Sequence, residues 1–173
     1  VVFLVGPIDV KTPPDRKSNV KSTADAVGPY LRAGDLVISG DDGAVPVLAH
    51  YFPPGLRYAT TEGLVADERV SDQREYVERL RNSRYRTAVP ALVDDLPVGG
   101  RVVLVIPNHG EAEPEWVEFL RLLLQRSDEV KELLLDDSRL RLELSITDAG
   151  EAEVVNTRVD AFVLTKQAPA AEG

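Results

Sequence analysis

Arg101-Val102-Val103-Leu104-Val105-Ile106, with the turn Pro97-Val98-Gly99-Gly100 in front of it, is the clearest strand signal in the chain. The run is β-branched and apolar without alternation, so neither of its faces is written for water. A strand of that kind belongs in a sheet covered on both sides, which is the usual state of a parallel sheet flanked by helices. On its amino-terminal side, Thr87 to Leu96 reads as a short helix packing Val89, Leu92 and Val93. Before it, Asp72 with Glu75 resembles a capping box and opens a helix that buries Tyr76, Val77 and Leu80. Further back, Leu56 to Thr61 reads as a strand after the turn Pro53-Pro54-Gly55, and Gly63 to Val70 as a loop. Val45 to Phe52 reads as a short helix with Pro46 in its first turn. Asp35 to Ser39 reads as a buried strand between Gly34 and Gly40. Ser18 is placed as the N-cap of a first helix, whose Val20, Ala24, Val27 and Leu31 form one stripe that ends near Pro29 and Gly34.

Beyond the decisive strand, Asn108 to Glu113 reads as a loop and Pro114 as the start of the strongest helix. Trp116, Phe119, Leu120, Leu123 and Leu124 fall on one face of it. Ser127 is read as the start of a second helical piece running to Leu135. Leu140 to Ile146 alternates apolar and polar residues, the pattern of a half-exposed strand. A turn at Ala149-Gly150 then returns the chain as a closing strand from Val154 to Thr165. Helices and strands thus alternate before a final strand pair. The expected fold is α/β, three-layered and Rossmann-like, with a mostly parallel sheet, helices on both faces and an antiparallel C-terminal pair at the edge. The expected organisation is a lead-in over residues 1–17, one domain over 18–166 and a disordered tail over 167–173.

Composition narrows the function. The chain has 173 residues, 43% of them apolar and 28% charged, enough to bury a core without metals or disulfides. Its net charge of −9 argues against nucleic acid as a partner, since such a surface needs Lys and Arg to replace phosphate counterions. Cysteine is absent, which removes disulfides, thiolate nucleophiles and Cys-ligated metals. Methionine is absent even at position 1, as expected of a piece of a larger protein. Val1 to Ile8 is too short to span a bilayer, and reads either as the tail of a membrane helix or as a first strand.

No glycine fingerprint follows the Asp35–Ser39 strand. Gly40-Asp41-Asp42-Gly43 stands there, and two carboxylates would repel a pyrophosphate. No nucleotide cofactor is therefore expected; His109 near Glu111 and Glu113 lacks the helical spacing of a metal site, so no metal is expected either, and no catalytic residue is assigned. The carboxyl ends of the strands are where α/β sheets bind ligands. The expected ligand-binding residues are accordingly Ser39, Asp41 and Asp42 after the first strand, and Asn108 and His109 after the decisive one. Tyr51, Tyr58, Tyr76 and Tyr85 offer a platform on which a sugar ring could stack. The arginines between Arg69 and Arg86 offer phosphate contacts, or simply a charged helix face interleaved with acids.

Several stretches together resemble a known family: Lys17-Ser-Asn-Val20, Leu31-Arg-Ala-Gly-Asp-Leu-Val-Ile-Ser39, Val45-Pro-Val-Leu48, Tyr51-Phe-Pro-Pro-Gly-Leu-Arg-Tyr-Ala-Thr60, Val65-Ala-Asp67, Asp72, and Arg101 to Pro107. They resemble the C-terminal region of actinobacterial integral-membrane glycosyltransferases of the GT-C type, often labelled mannosyltransferases. The resemblance covers about Lys17 to Pro107 and loosens through Thr165. It implies a multi-helix membrane domain upstream in the same parent chain, a polyprenyl-phosphate sugar donor, and catalysis by a carboxylate that this sequence does not include. On that reading the chain is a non-catalytic extracytoplasmic domain at the cell membrane, assisting glycan-acceptor binding or partner recruitment, and Val1 to Val5 follows the last membrane helix. The sequence departs from the family's pattern after Ser39, where Gly40-Asp-Asp-Gly-Ala44 replaces a Thr-Gln-Pro-Glu-Gln-like loop. The alternatives are a cell-envelope interaction module without a ligand and a stand-alone Rossmann-like enzyme.

Overall fold

The computed structural model describes residues 18–72, 74–108, 117–147 and 158–169. Six strands form one sheet: β1 (Leu36–Ser39), β2 (Arg57–Thr60), β3 (Gly63–Leu64), β4 (Arg101–Asn108), β5 (Leu140–Ile146) and β6 (Arg158–Lys166). Their spatial order is β3-β2-β1-β4-β6-β5. β1 pairs in parallel with both β2 and β4, while β6 runs antiparallel to β4 and to β5. β1, β2, β4 and β5 therefore point the same way, and β3 and β6 oppose them. The expected α/β architecture is present, with the C-terminal pair on one flank. Within that pair β6 lies inside and β5 forms the margin, which is why β6 is buried almost throughout and β5 is mostly exposed.

Among the described residues four helices cover the sheet and a fifth packs beside them. α1 (Val20–Val27) and α2 (Val45–Tyr51) pack on one face, against Val37, Tyr58, Val103, Val105 and Val163. α4 (Tyr85–Asp94) and α5 (Val117–Leu135) pack on the other, against Leu36, Ile38, Leu104, Phe162 and Leu164. Alternate residues of β1 and β4 thus go to opposite layers, the physical meaning of their unbroken apolar runs. α3 (Tyr76–Asn82) adds a smaller cluster in which Tyr76 and Leu80 meet Leu122 and Leu123 of α5. Asp35, 6% exposed, ties the amino ends of the parallel strands together. Its side chain accepts from the backbone N–H groups of Arg32 and Arg101, and its carbonyl accepts from that of Arg57.

Several local expectations give way. The first helix is capped at Asn19, not Ser18, and the Asn19 side chain is used elsewhere, exchanging hydrogen bonds with the backbone of Val159 on β6. No capping box forms at Asp72. Glu75 takes a left-handed conformation (φ 53°), and the Asp72 carboxylate turns back onto the backbone and guanidinium of Arg74. The loop read at Gly63 contains β3, two residues pairing antiparallel with β2. α5 runs unbroken through Ser127, which is buried against the sheet and starts nothing new. The lead-in, Pro114, Trp116 and the Ala149-Gly150 turn lie outside the described residues, as does the start of the closing strand at Val154. Gln167, the first residue of the expected tail, still donates from its backbone N–H to Arg139. No helix among the described residues is long and apolar enough to cross a membrane.

Candidate functional site at the carboxyl ends of the first two strands

β1 leaves the sheet at Ser39, and the backbone N–H of Gly40 still bonds Val105 on β4. A Cβ on Gly40 would lie 3.1 Å from Pro107 Cδ and 3.2 Å from Ser127 Cβ, so only glycine lets α5 sit this close. The loop that follows closes on itself. The Ser39 hydroxyl donates to the Asp41 carbonyl at 2.6 Å, and Asp41 Oδ1 accepts from the Gly43 N–H at 2.8 Å. The Tyr76 hydroxyl reaches in from α3, accepting from the Asp42 N–H at 3.0 Å and donating to Asp41 Oδ1 at 3.4 Å. Burial, reinforced by the charges of Asp41 and Asp42, pushes the Tyr76 phenol well above its ordinary range, so it remains a fixed donor.

Arg79, one turn along α3, joins this loop to the segment after β2. Its Nη2 donates to Asp42 Oδ2 at 2.7 Å and to the Asp72 carbonyl at 2.8 Å, and its Nη1 donates to the Arg74 carbonyl at 2.8 Å. Its Nε lies 3.3 Å from Glu62 Oε2, an ion pair without the alignment of a hydrogen bond. The Asp42 side chain is drier than that of Arg79, 14% exposed against 27%. Burial accordingly raises the Asp42 carboxyl above its ordinary value despite the Arg79 bond, and the nearby charges of Glu62 and Asp41 add to the effect. The guanidinium, wetter and shared among several acceptors, stays charged.

Beside this network lies a cavity of about 460 Å³, within the roughly 300–1,000 Å³ typical of small-molecule sites. Asp42, Thr60, Glu62, Leu64, Asp72 and Arg79 contribute to its wall. Glu62 is oriented by its own backbone N–H, which donates to Thr60 Oγ1 at 3.2 Å. Counting Arg74, which clamps Asp72, three carboxylates face two guanidiniums, and both guanidiniums are already engaged. Such a wall repels phosphate and welcomes hydroxyl donors. Among the described residues no group of three or more His, Asp and Glu side chains is arranged to hold a metal ion.

The expected site residues are thus divided. Asp42 lines the cavity, whereas Ser39 and Asp41 are spent on holding the loop. Asn108 closes β4 with its side chain on Asp160 of β6, and His109 lies outside the described residues. Tyr58, Tyr76 and Tyr85 are buried and only Tyr51 is well exposed, so the four form no common stacking surface. The arginine-rich stretch is largely paired internally, Arg74 with Asp72, Arg79 with Asp42, and Arg81 with Glu118. Glu62 and Thr60 escaped the sequence reading. Their signal was positional, an acid just past the second parallel strand.

No family model and no curated protein sequence matches the chain. Among solved structures it is similar to one described as a "putative rRNA-methylase" from Clostridium thermocellum, with a TM-score of 0.41 and 12% identity over 87% of this chain and 98% of that one.

Proposed function

We propose that this chain is a non-catalytic extracytoplasmic domain of a polyprenyl-phosphate-sugar-dependent membrane glycosyltransferase, and that it helps to hold a neutral glycan acceptor in the cavity beside Glu62. The resemblance over Lys17 to Pro107 supplies the parent enzyme and its upstream membrane domain. The observation that carries the ligand is the solvent-facing carboxylate of Glu62, ion-paired with Arg79 through one oxygen only, in a concave, net-acidic wall at the sheet's carboxyl edge. Carboxylates accept hydrogen bonds from sugar hydroxyls, and charge-assisted bonds of that kind are the stronger class. The same acidity makes this cavity a poor seat for the polyprenyl-phosphate donor, which the membrane part of the enzyme would hold.

A second reading has one specific observation behind it. In dinucleotide-binding folds an acid about 20 residues after the first loop takes the ribose hydroxyls. Glu62 stands 19 residues after Gly43 (62 − 43 = 19), just past β2. A nucleoside without a pyrophosphate would meet it in the same way.

Ligand-observed NMR on the 173-residue chain separates these readings. The probes are a linear mannotriose, a short polyprenyl phosphate, adenosine and NAD. Mannotriose binding that Glu62→Gln weakens several-fold is the expected result. Adenosine binding with mannotriose silent would transfer the site to the second reading. Silence from every probe would leave an interaction module without a ligand.

A further inference from the structure

A second cavity, of about 470 Å³, opens on the other side of the segment that follows β2. It is lined by His50 of α2, Pro53 and Pro54 of the turn, Tyr58 of β2, and Glu68 and Arg69. Tyr58 is 8% exposed, its ring is packed in the core layer of α1 and α2, and its hydroxyl has no hydrogen-bond partner among the described residues. The hydroxyl itself is not sealed in the core, so its tip is open to the cavity and to whatever fills it. With the ring fixed in the core, the polar tip is what the side chain can offer the cavity. Glu68 is close enough to Tyr58 for its charge, after burial itself, to push the phenol up to about 12, so the hydroxyl keeps its proton and can donate. Arg69 is exposed, its backbone N–H bonds Asp67, and its guanidinium makes no ion pair among the described residues.

We propose that this second cavity is a saccharide subsite that takes one neutral hexose unit, with the Tyr58 hydroxyl, Glu68 and Arg69 on the sugar hydroxyls and Pro53, Pro54 and His50 against its C–H face. The chemistry selects among ligands. Glu68 offsets Arg69, so a phosphate gains little here. The proline rings offer no N–H to an extended peptide, but they add apolar C–H surface to the wall against which the C–H groups of a pyranose can pack. A hexose carries both faces the cavity asks for. The subsite rests on the glycan reading above and extends it. Val45 lines the first cavity and Pro46 the second, and Val70 and Arg69 divide in the same way. The two cavities therefore adjoin across one turn of α2 and one loop, and a glycan that engages both must be an oligosaccharide long enough to pass over that loop. Linking two weak subsites raises affinity without any new contact.

The test is titration calorimetry of the 173-residue chain with methyl α-mannoside and linear mannotriose, for wild type, Tyr58→Phe, Arg69→Ala and Glu62→Gln. Tyr58→Phe removes an unpaired hydroxyl and leaves the packing, so its thermal midpoint should match wild type. It should weaken mannotriose about five- to tenfold, the effect of one well-placed hydrogen bond. Arg69→Ala, at an exposed position, should weaken it in the same direction. Wild type should bind mannotriose more tightly than methyl α-mannoside. Mannotriose binding that falls with Glu62→Gln but ignores both Tyr58→Phe and Arg69→Ala would overturn the subsite and keep the first cavity. The reverse pattern would keep the subsite and overturn the first cavity. No saccharide binding at all overturns both.

Discussion

Two segments leave this sheet side by side at its carboxyl edge, and they use their polar groups in opposite ways. The exit of β1, Ser39 to Ala44, turns inward. Ser39, Asp41, Asp42 and Tyr76 bond one another, and α5 presses on Gly40 from behind. The exit of β2, Thr60 to Asp72, leaves Glu62 and Glu68 facing cavities on either side of it. The Asp41-Asp42 doublet is the conspicuous feature in sequence, yet it holds the architecture, while single acids further on, Glu62 with one oxygen on Arg79 and Glu68, face cavities. A carboxylate that is saturated by its own chain has little left to offer. The difference is measurable, because substitutions in the β1 exit should act on stability and those in the β2 exit on binding.

The largest effect is expected at the residue that joins the two. Arg79→Ala would strand the Asp42 carboxylate without its partner and release the Asp72 and Arg74 carbonyls, costing about 2–4 kcal/mol in denaturant unfolding for a pair that is mostly but not fully buried. A loss below about 0.5 kcal/mol would mean that the β1 exit is not closed in the sense described. Gly40→Ala comes next. Its new methyl meets Pro107 and Ser127, and overpacking of this kind costs about 1–3 kcal/mol. Tyr76→Phe removes one hydroxyl from the network and leaves the Asp42 N–H without its acceptor, a loss of about 1–2 kcal/mol with sugar binding unchanged.

The smallest effect is a dependence on pH. Asp42 has its carboxyl raised above 3.8 by burial, so the folded chain holds that proton more tightly than the unfolded chain does. Its contribution to stability is full below the unfolded value and drains away as the pH rises through the folded one. Asp137 runs the other way. The Arg139 hydrogen bond lowers it, so its contribution is present above 3.8 and is lost as the pH falls through its folded value. Subtracting the unfolding free energy of Asp42→Asn from that of wild type, between about pH 3 and 7, isolates the first trend. The difference should shrink as the pH rises, and a difference that grows would reverse the assignment.

Much of the scaffold was readable because it depends on local pattern. The runs at Asp35–Ser39 and Arg101–Ile106 announced buried strands, though the second extends to Asn108, which reads as loop, and the alternation over Leu140–Ile146 announced one covered on a single face. The place of β6 was not readable from element order, since nothing in succession says which strand a late one will join. Its unbroken Ala161-Phe162-Val163-Leu164 did carry a hint, as such a run is too apolar for a margin. The capping box failed for a related reason. The spacing of Asp72 and Glu75 was right, but Arg74 offered Asp72 a closer partner than the helix end did. The site was half legible. Chain order led to the carboxyl edge, yet which acids remain open there depends on Tyr76 and Arg79, which come from a helix more than 30 residues away.

The position of β6 has a consequence for how the protein is made. Residues 158–166 are made after the other five strands of the described sheet, and they are also the partner that β4 and β5 share. Asn19, at the opposite end of the described chain, is fastened to the same strand. Until that segment is delivered, β4 lacks one of its two neighbours, β5 lacks its partner among the described strands, and Asn19 at the start of the first helix lacks its bonds to Val159. The sheet therefore closes only when residues 158–166 arrive, and a product interrupted before residue 158 would stay recognisable to proteases as unfinished.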